Sequence, residues 1–449
     1  MHSIKSILRG KFKENRQVLI TSGRIFVAGI LFRILFFISF RFIVTPDSVG
    51  YLGIADNIIA GNFYQDVTET MRQPGYPLFL SIIFFITSRN LLVVALVQQI
   101  LSAFTPVIVY LTARQLFDEK SAKLSGWLIA LNPALAYFGS LILTEANVIL
   151  LNILATYLLI LAIKKELSWL YVLSGVILGL LVWTKTIFII FVAVFVFVPL
   201  LSSKINIKWH QYLLIIGPSF LIVFGWVTHN IVKFDEAIYA PTIGLNLFER
   251  TAYFNVPENE DPLINIAQEN FQKLKKSDFL GAQSDELYWS LAVIDTWRLR
   301  VNTTSVPDLD RQFLSIALQQ IRGAPITYLS TTLREIYYTW AGYTPHWAKW
   351  RPTDHENIPD WSYVILGPVL GIFMVTLFSV GTIYTIIKGN HLGFLLIFPV
   401  VLISLATSLI IPSDYRYRLA VEPQIIIIIS FAIIKLIANN QKLSVKGIG

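Results

Sequence analysis

From Ile25 to Ile437 the sequence is dominated by apolar runs long enough to cross a membrane. A spanning helix needs roughly 20 mainly apolar residues. Candidate spans are Ile25–Ile43, Leu91–Leu116, Leu124–Gly139, Ala146–Ile163, Trp169–Trp183, Ile187–Leu201, Tyr212–Val227, Val364–Ile387, Leu392–Ile411 and Leu419–Ile437. Pro77–Ile86 is apolar but only half a span long. Charged residues make up 14% of the chain, against about 25% in soluble domains. That is too few to cover a water-facing surface. The chain therefore reads as an all-α polytopic membrane protein, because lipid leaves the backbone to satisfy its own hydrogen bonds.

The net charge of +8 is placed at the ends and in short loops: Lys5, Arg9, Lys11, Lys13 and Arg16 at the start, Lys435, Lys442 and Lys446 in the tail. Cytoplasmic ends collect Lys and Arg, so both termini are expected inside. Nucleic-acid binding would need a continuous basic face, and no such partner is expected. The absence of cysteine excludes disulfides, iron–sulfur clusters and thiolate chemistry. The first apolar run lacks a small-residue cleavage site and reads as the first span rather than a cleaved signal.

Two long polar stretches interrupt the apolar pattern, Thr45–Tyr76 and His229–Asp360. If Pro77–Ile86 lies at the interface without crossing, both stretches fall outside. Lys164, Lys165, Lys204, Lys208, Lys388 and the basic tail then fall inside, as the Lys/Arg bias requires. The expected organisation is an N-terminal membrane module over 1–228 with an outer loop at 45–76, an extracytoplasmic domain over 229–360, and C-terminal membrane helices with a cytoplasmic tail over 361–449. Within the outer domain Phe313-Leu314, Ala317-Leu318, Ile321 and then Tyr328-Leu329, Leu333, Ile336-Tyr337 repeat at a spacing of three and four on either side of a Gly-Ala-Pro break. The second of these helices is expected on or near the bilayer. Asn302-Thr303-Thr304 has the form of a glycosylation acceptor, a pattern common by chance.

On this topology Asp47, Asp56, Arg72, Glu145, Lys185, Arg416 and Arg418 collect at one membrane surface. Ionisable groups at membrane depth mark functional sites by default. Asp47, in Pro46-Asp47-Ser48-Val49-Gly50-Tyr51, has two readings. It is the N-cap of a short helix running to Gly61, or a general base whose pKa a low-dielectric boundary pushes upward. Glu145 opens a span, where an acid complements the helix dipole, yet it sits among apolar neighbours. Lys185, in Trp183-Thr184-Lys185-Thr186, is a snorkelling side chain or a cation for a lipid phosphate. Arg416 and Arg418, in Tyr415-Arg416-Tyr417-Arg418, are interfacial anchors or forks for phosphate. Arg72 precedes a rigid Gln73-Pro74-Gly75 turn and could simply be solvated. His229, His346 and His355 are too scattered for metal ligation. No nucleotide or zinc signature occurs.

Five places, in order along nearly the whole chain, resemble the membrane glycosyltransferases of the GT-C fold, most of all glycosyltransferase family 39, the protein O-mannosyltransferases and lipid A aminoarabinose transferases. They are Asp47-Ser48-Val49-Gly50-Tyr51; Arg72-Gln73-Pro74-Gly75-Tyr76-Pro77-Leu78; Asn132-Pro133 followed by Thr144-Glu145; Gly179-Leu180 with Trp183-Thr184-Lys185; and Arg416-Tyr417-Arg418 with Pro423. Each motif alone is weak. The resemblance implies a GT-C bundle of about 10–11 transmembrane helices with an outer helical loop and a small extracytoplasmic domain. It implies Asp47 as catalytic base and Glu145 as the second acid. Arg72, Lys185, Arg416 and Arg418 would hold the donor phosphate, with Tyr51, Tyr76 and Tyr417 as substrate contacts. Where many relatives have a second acid, an arginine and a proline, this chain has Ser48, Lys185 and Ala420.

The expected reaction moves a sugar, with inversion, from a polyprenyl-phosphate donor to an extracytoplasmic glycan, lipid or protein. The partners are then that donor, the acceptor and membrane lipid. No cofactor is called for, with a divalent metal left open. The expected location is a bacterial or archaeal plasma membrane, with the site on the extracytoplasmic side. The rival readings are a secondary transporter, for which paired inverted repeats are missing, a polysaccharide polymerase or ligase, and an inactive protein of the same fold.

Overall fold

The computed structural model describes residues 2–201, 204–205, 207–252, 254, 261–276, 285–301, 304–341, 367–411 and 415–446. His346, His355, Asn302-Thr303 and the expected span start at Val364 lie outside them. Among the described residues the regular structure is helical, and the one β contact is an isolated parallel bridge between Ile43 and Leu141. Among the described residues seven helices are long and apolar enough to cross a membrane, from Glu14–Phe40 to Glu422–Gln441, and Gly75–Thr87, Ser168–Thr184 and Thr186–Leu200 are shorter apolar helices. The chain is a polytopic all-α membrane protein.

Helix α1 (His2–Phe40) runs antiparallel to α4 (Leu91–Ser102) and α5 (Thr105–Leu116). Two contacts fix this: Glu14 pairs with Arg114 at 2.5 Å, and Arg33 donates to Ser102 Oγ at 2.7 Å. The stretch between α1 and α4 therefore leaves and rejoins the bundle at one end. There α2 (Pro46–Ile59) and α3 (Gly75–Thr87) lie side by side in the same direction. Asp47 and Arg72 meet near their starts, and Asp56 and Arg89 near their ends. Helix α3, at 13 residues, is about 20 Å long and adds no crossing. Asp56 takes Arg89 in a fork at 2.7, 3.0 and 2.8 Å, so it ties the two helices together instead of joining the expected site.

The expected span at Leu124–Gly139 is not one helix. Helix α6 (Glu119–Ala130) stops, and α7 (Pro133–Phe138) starts anew. Pro133 cannot donate into the preceding turn, and Asn132 caps the new helix by accepting from the Leu135 amide at 3.1 Å. Between α7 and α8 (Glu145–Lys165) the backbone is irregular and buried, and unsatisfied buried groups are costly. Two adjacent amides on α4 resolve this. Gln98 donates to the carbonyls of Gly139 and Leu141 at 3.2 and 2.7 Å. Gln99 donates to the Ala136 carbonyl and Ser140 Oγ at 2.8 and 3.0 Å. The Ile43 bridge completes it, with Ile43 N–H on Ser140 O at 2.9 Å and Ile142 N–H on Ile43 O at 3.0 Å. The loop carrying Asp47 is thereby registered against the segment leading to Glu145.

Helix α9 (Ser168–Thr184) returns from the far end, α10 (Ile189–Leu201) descends again, and α11 (Trp209–Phe234) climbs back. Small residues let α9 and α11 approach closely: a Cβ on Gly175 would lie 2.3 Å from the Ile215 carbonyl oxygen. Helix α11 runs past the expected 228/229 boundary to Phe234, where Phe63, Tyr64, Trp226 and His229 pack in one aromatic cluster, His229 stacked on Trp226 at 5.2 Å. Helices α12 (Ile243–Thr251), α13 (Pro262–Lys276), α14 (Asp285–Arg300) and α15 (Val306–Gly323) share a core of their own around Phe248, Ala267, Val293 and Phe313. Helix α16 (Pro325–Ala341) follows after the break expected there and packs on the closing helices α17 (Gly367–Ile387), α18 (Phe394–Ile410) and α19 (Tyr415–Leu419). Helix α20 (Glu422–Lys446) ends the chain's described part.

Candidate functional site

Helix α2 begins one residue before Asp47, and the cap is Thr45. Pro46 takes the first helical position, which suits a residue with no N–H. Thr45 Oγ1 accepts from the Ser48 amide at 3.3 Å, and the Thr45 amide donates to Ser48 Oγ at 2.8 Å. This reciprocal box corrects the reading of Asp47 as cap. It also accounts for Ser48, whose hydroxyl closes the box. Asp47 is left free for other partners.

Those partners are arginines from distant segments. Arg416 Nη1 lies 2.7 Å from Asp47 Oδ2, and Arg72 Nη2 a longer 3.4 Å from Oδ1. Arg72 reaches Asp47 across Gly50, where a Cβ would stand 2.3 Å from Arg72 Nε. Its guanidinium then rests over the Tyr51 ring, 4.5 Å from the centroid. Tyr51 meets Tyr76 edge to face at 5.1 Å, and the Tyr76 hydroxyl donates to Gln98 Oε1 at 2.7 Å. Tyr64 secures the base of the loop by donating to the Arg72 carbonyl at 2.8 Å.

A second pair adjoins the first. Glu145 is the first residue of α8, where the helix dipole favours a carboxylate. Lys185 Nζ meets its Oε1 at 3.0 Å, with the glutamate side chain only 4% exposed. Lys185 is delivered by the end of α9, against which the start of α3 fits closely: a Cβ on Gly75 would lie 2.8 Å from the Trp183 carbonyl oxygen. Tyr417 joins the two pairs, with Lys185 Nζ 4.6 Å and Arg416 Cζ 5.5 Å from its ring centroid. Arg72, Asp47, Arg416, Tyr417, Lys185 and Glu145 thus form one continuous array at one end of the bundle.

The electrostatics run opposite to the expected upward shift of Asp47. Arg416 beside it, helped by Arg72, outweighs burial and holds the Asp47 carboxyl well below the ordinary carboxylate range. Asp47 therefore stays ionised, and its side chain remains 39% exposed to an entering group. Three cations, Arg72, Lys185 and Arg416, stand against two carboxylates, a surplus that suits an anionic ligand. Arg418 is engaged differently. It is buried, lies 3.4 Å from Glu422 Oε2, and donates to the Trp340 carbonyl at 3.0 Å. Among the described residues no group of three or more His, Asp or Glu side chains is placed to hold a metal ion.

Residues 71–229 match a family model described as dolichyl-phosphate-mannose-protein mannosyltransferase. No curated protein matches the sequence. Among solved structures, the archaeal oligosaccharyltransferase AglB from Archaeoglobus fulgidus, in complex with an inhibitory peptide and a dolichol-phosphate, superposes with a TM-score of 0.56 at 14% identity, covering 97% of this chain and 52% of that one. The apo form of the Archaeoglobus fulgidus oligosaccharyltransferase gives 0.57 at 16% identity, covering 96% and 52%. The fold is the GT-C fold. This chain spans about half the length of those structures. ArnT from Cupriavidus metallidurans bound to undecaprenyl phosphate superposes more loosely, with a TM-score of 0.38 at 15% identity over 91% of this chain and 77% of that one.

Several groups around the array were not legible as site residues. Gln98 and Gln99 lie inside an apolar run, and paired amides in a span are themselves a signal, since lipid tolerates them only with partners. Asn147 Oδ1, Trp183 Nε1 and Thr186 Oγ1, beside Glu145 and Lys185 in sequence, are buried without a protein partner. Such groups are rare and remain available to a polar ligand.

Proposed function

We propose that the chain is an integral membrane glycosyltransferase that takes a sugar from a polyprenyl-phosphate donor and places it, with inversion, on an extracytoplasmic glycan, lipid or protein. The observation that carries this reading is the joint array of Asp47–Arg72–Arg416 and Glu145–Lys185 at one end of a GT-C bundle. The matched family model and the dolichol-phosphate named with the AglB structure support the donor class. Lys164 reaches the Gln115 carbonyl and Lys435 pairs with Asp118, so basic residues gather at the opposite end of the bundle. By the positive-inside rule that end is cytoplasmic and the array faces out of a bacterial or archaeal plasma membrane.

In the proposed reaction the donor phosphate sits among Arg72, Arg416 and Lys185. Transferring the arginine charge to phosphate releases Asp47, which gains basicity when the substrate to be activated is present. An acceptor hydroxyl attacks the anomeric carbon from the face opposite the phosphate and passes its proton to Asp47. The carbon–oxygen bond to phosphate breaks, and its electron pair stays on the lipid phosphate. Fixed cations stabilise that developing charge in a water-poor site. Glu145 holds Lys185 in place and completes the acid pair. Tyr51, Tyr76 and Tyr417 flank the donor. Side-chain cations supply the positive charge, so no cofactor enters the reaction as proposed.

The test is to incubate the purified protein in detergent with labelled polyprenyl-phosphate sugar and a membrane extract as source of acceptors. Sugar should leave the lipid phosphate without any sealed vesicle, and Asp47→Asn should slow it by about 10²–10⁴-fold while folding normally. Release that requires a sealed vesicle would favour a transporter, and a wild-type rate for Asp47→Asn would remove the base.

A further inference from the structure

Arg416 is carried by α19, a helix of five residues. So short a helix has little stability of its own. What holds it comes from the outer helices. Helix α18 ends at Ile410, and the last carbonyls of a helix lack intrahelical partners. Two of them are taken by charged and polar side chains. Arg250 of α12, only 4% exposed, donates to the carbonyls of Ser408 and Leu409. Tyr328 of α16 donates to the same Leu409 carbonyl at 2.6 Å. Arg250 also lies over the Tyr328 ring, 5.2 Å from its centroid, and reaches Thr332 Oγ1 of α16 at 3.3 Å.

The same helix α16 acts again beyond Arg416. The Trp340 carbonyl, near its C-terminus, accepts from Arg418 Nη1 at 3.0 Å, and the Trp340 ring lies 5.8 Å from that guanidinium. Tyr328 and Trp340 are separated by about 18 Å of helix. One rigid rod therefore grips the chain on both sides of the arginine that faces Asp47. From α8, Asn152 fixes the next link by donating to the Ala420 carbonyl at 2.6 Å.

We propose that α16, locked by Arg250, is a positioning strut for Arg416: it fixes where that guanidinium stands and so sets the affinity of the site for the lipid-linked phosphate. The proposal rests on the donor site described above. Arg250 and Tyr328 touch no substrate and act only through Arg416. The outer helices α12 and α16 are then mechanically part of the phosphate site, and whatever engages them changes the grip of Arg416.

The experiment measures binding of undecaprenyl phosphate to the full chain in lipid nanodiscs, with amide hydrogen exchange on the same samples. Losing a charged hydrogen bond should weaken binding by roughly tenfold in Arg250→Gln, and losing a neutral one by about threefold in Tyr328→Phe. Arg250→Lys keeps a charged donor but loses the fork and the stacking on Tyr328, so its affinity should fall between those of Arg250→Gln and wild type. In an Arg416→Gln background, Arg250→Gln should add less than about twofold, because it acts through the missing side chain. Amides of 415–419 should exchange faster in Arg250→Gln without lipid, while α8 and α9 stay protected. Unchanged affinity in a folded Arg250→Gln protein, or an equal loss in both backgrounds, would overturn the strut. If no variant and no wild type binds the lipid phosphate, the donor reading fails. The exchange result still decides the strut: unaltered exchange at 415–419 refutes it.

Discussion

Gly50 shows how a single missing side chain shapes the site. Arg72 lies across it to reach Asp47, and a methyl group there would stand 2.3 Å from Arg72 Nε. Gly50→Ala should therefore drive Arg72 off Asp47 and weaken binding of a polyprenyl phosphate by about three- to tenfold, the size of one charge-assisted contact. Its stability should change by less than about 1 kcal/mol, since alanine is the better helix former at that position. Equal affinity in Gly50→Ala would mean that Arg72 is not a phosphate ligand. At this scale the sequence was only partly readable. Asp47, Arg72 and Arg416 stood out as ionisable residues beside spans, but the downward direction of the Asp47 shift depends on Arg416, a residue 369 positions away. The cap reading of Asp47 fails for a local reason: proline in the first helical position moves the cap one residue back, to Thr45.

Helix ends place the chemistry. Glu145 starts α8, Lys185 follows α9, and Arg416 sits just beyond α18. The Glu145–Lys185 pair is largely buried, with side chains 4% and 19% exposed. Removing one member of such a pair leaves a charge stranded and costs about 3–5 kcal/mol. Glu145→Gln and Lys185→Met should each lower the unfolding free energy by an amount of that order, and the double variant by clearly less than the sum. Thermal unfolding in one detergent checks this; strict additivity would show that the pair does not interact. Long, evenly apolar elements and the α15–α16 break were legible because helical spacing and a Gly-Ala-Pro turn are local signals. The division of Leu124–Gly139 into α6 and α7 was not. Its apolar content satisfies a span on average, while Asn132-Pro133 ends the helix, and buried carbonyls beyond the break are met by Gln98 and Gln99 from another element.

For the whole molecule, the hydropathy pattern settles the class and the polar contacts settle the assembly. Apolar runs announce a polytopic helical bundle, but among the described residues seven helices reach full crossing length and three apolar helices fall short of it. Two of the shorter elements meet there: the start of α3 and the end of α9 come together at Gly75 and Trp183, which brings Arg72 and Lys185 to the same end. Such convergence depends on pairings far apart in sequence and cannot be read from periodicity. The central claim is that this array grips the phosphate of a lipid-linked donor. It is tested most directly by an electron cryo-microscopy map of the protein in nanodiscs with added undecaprenyl phosphate. The account predicts phosphate density between Arg72, Lys185 and Arg416, within about 3 Å of their nitrogens, with Arg416 shifted toward it from Asp47. Phosphate bound elsewhere on the bundle, with the Asp47–Arg416 pair unchanged, would contradict it.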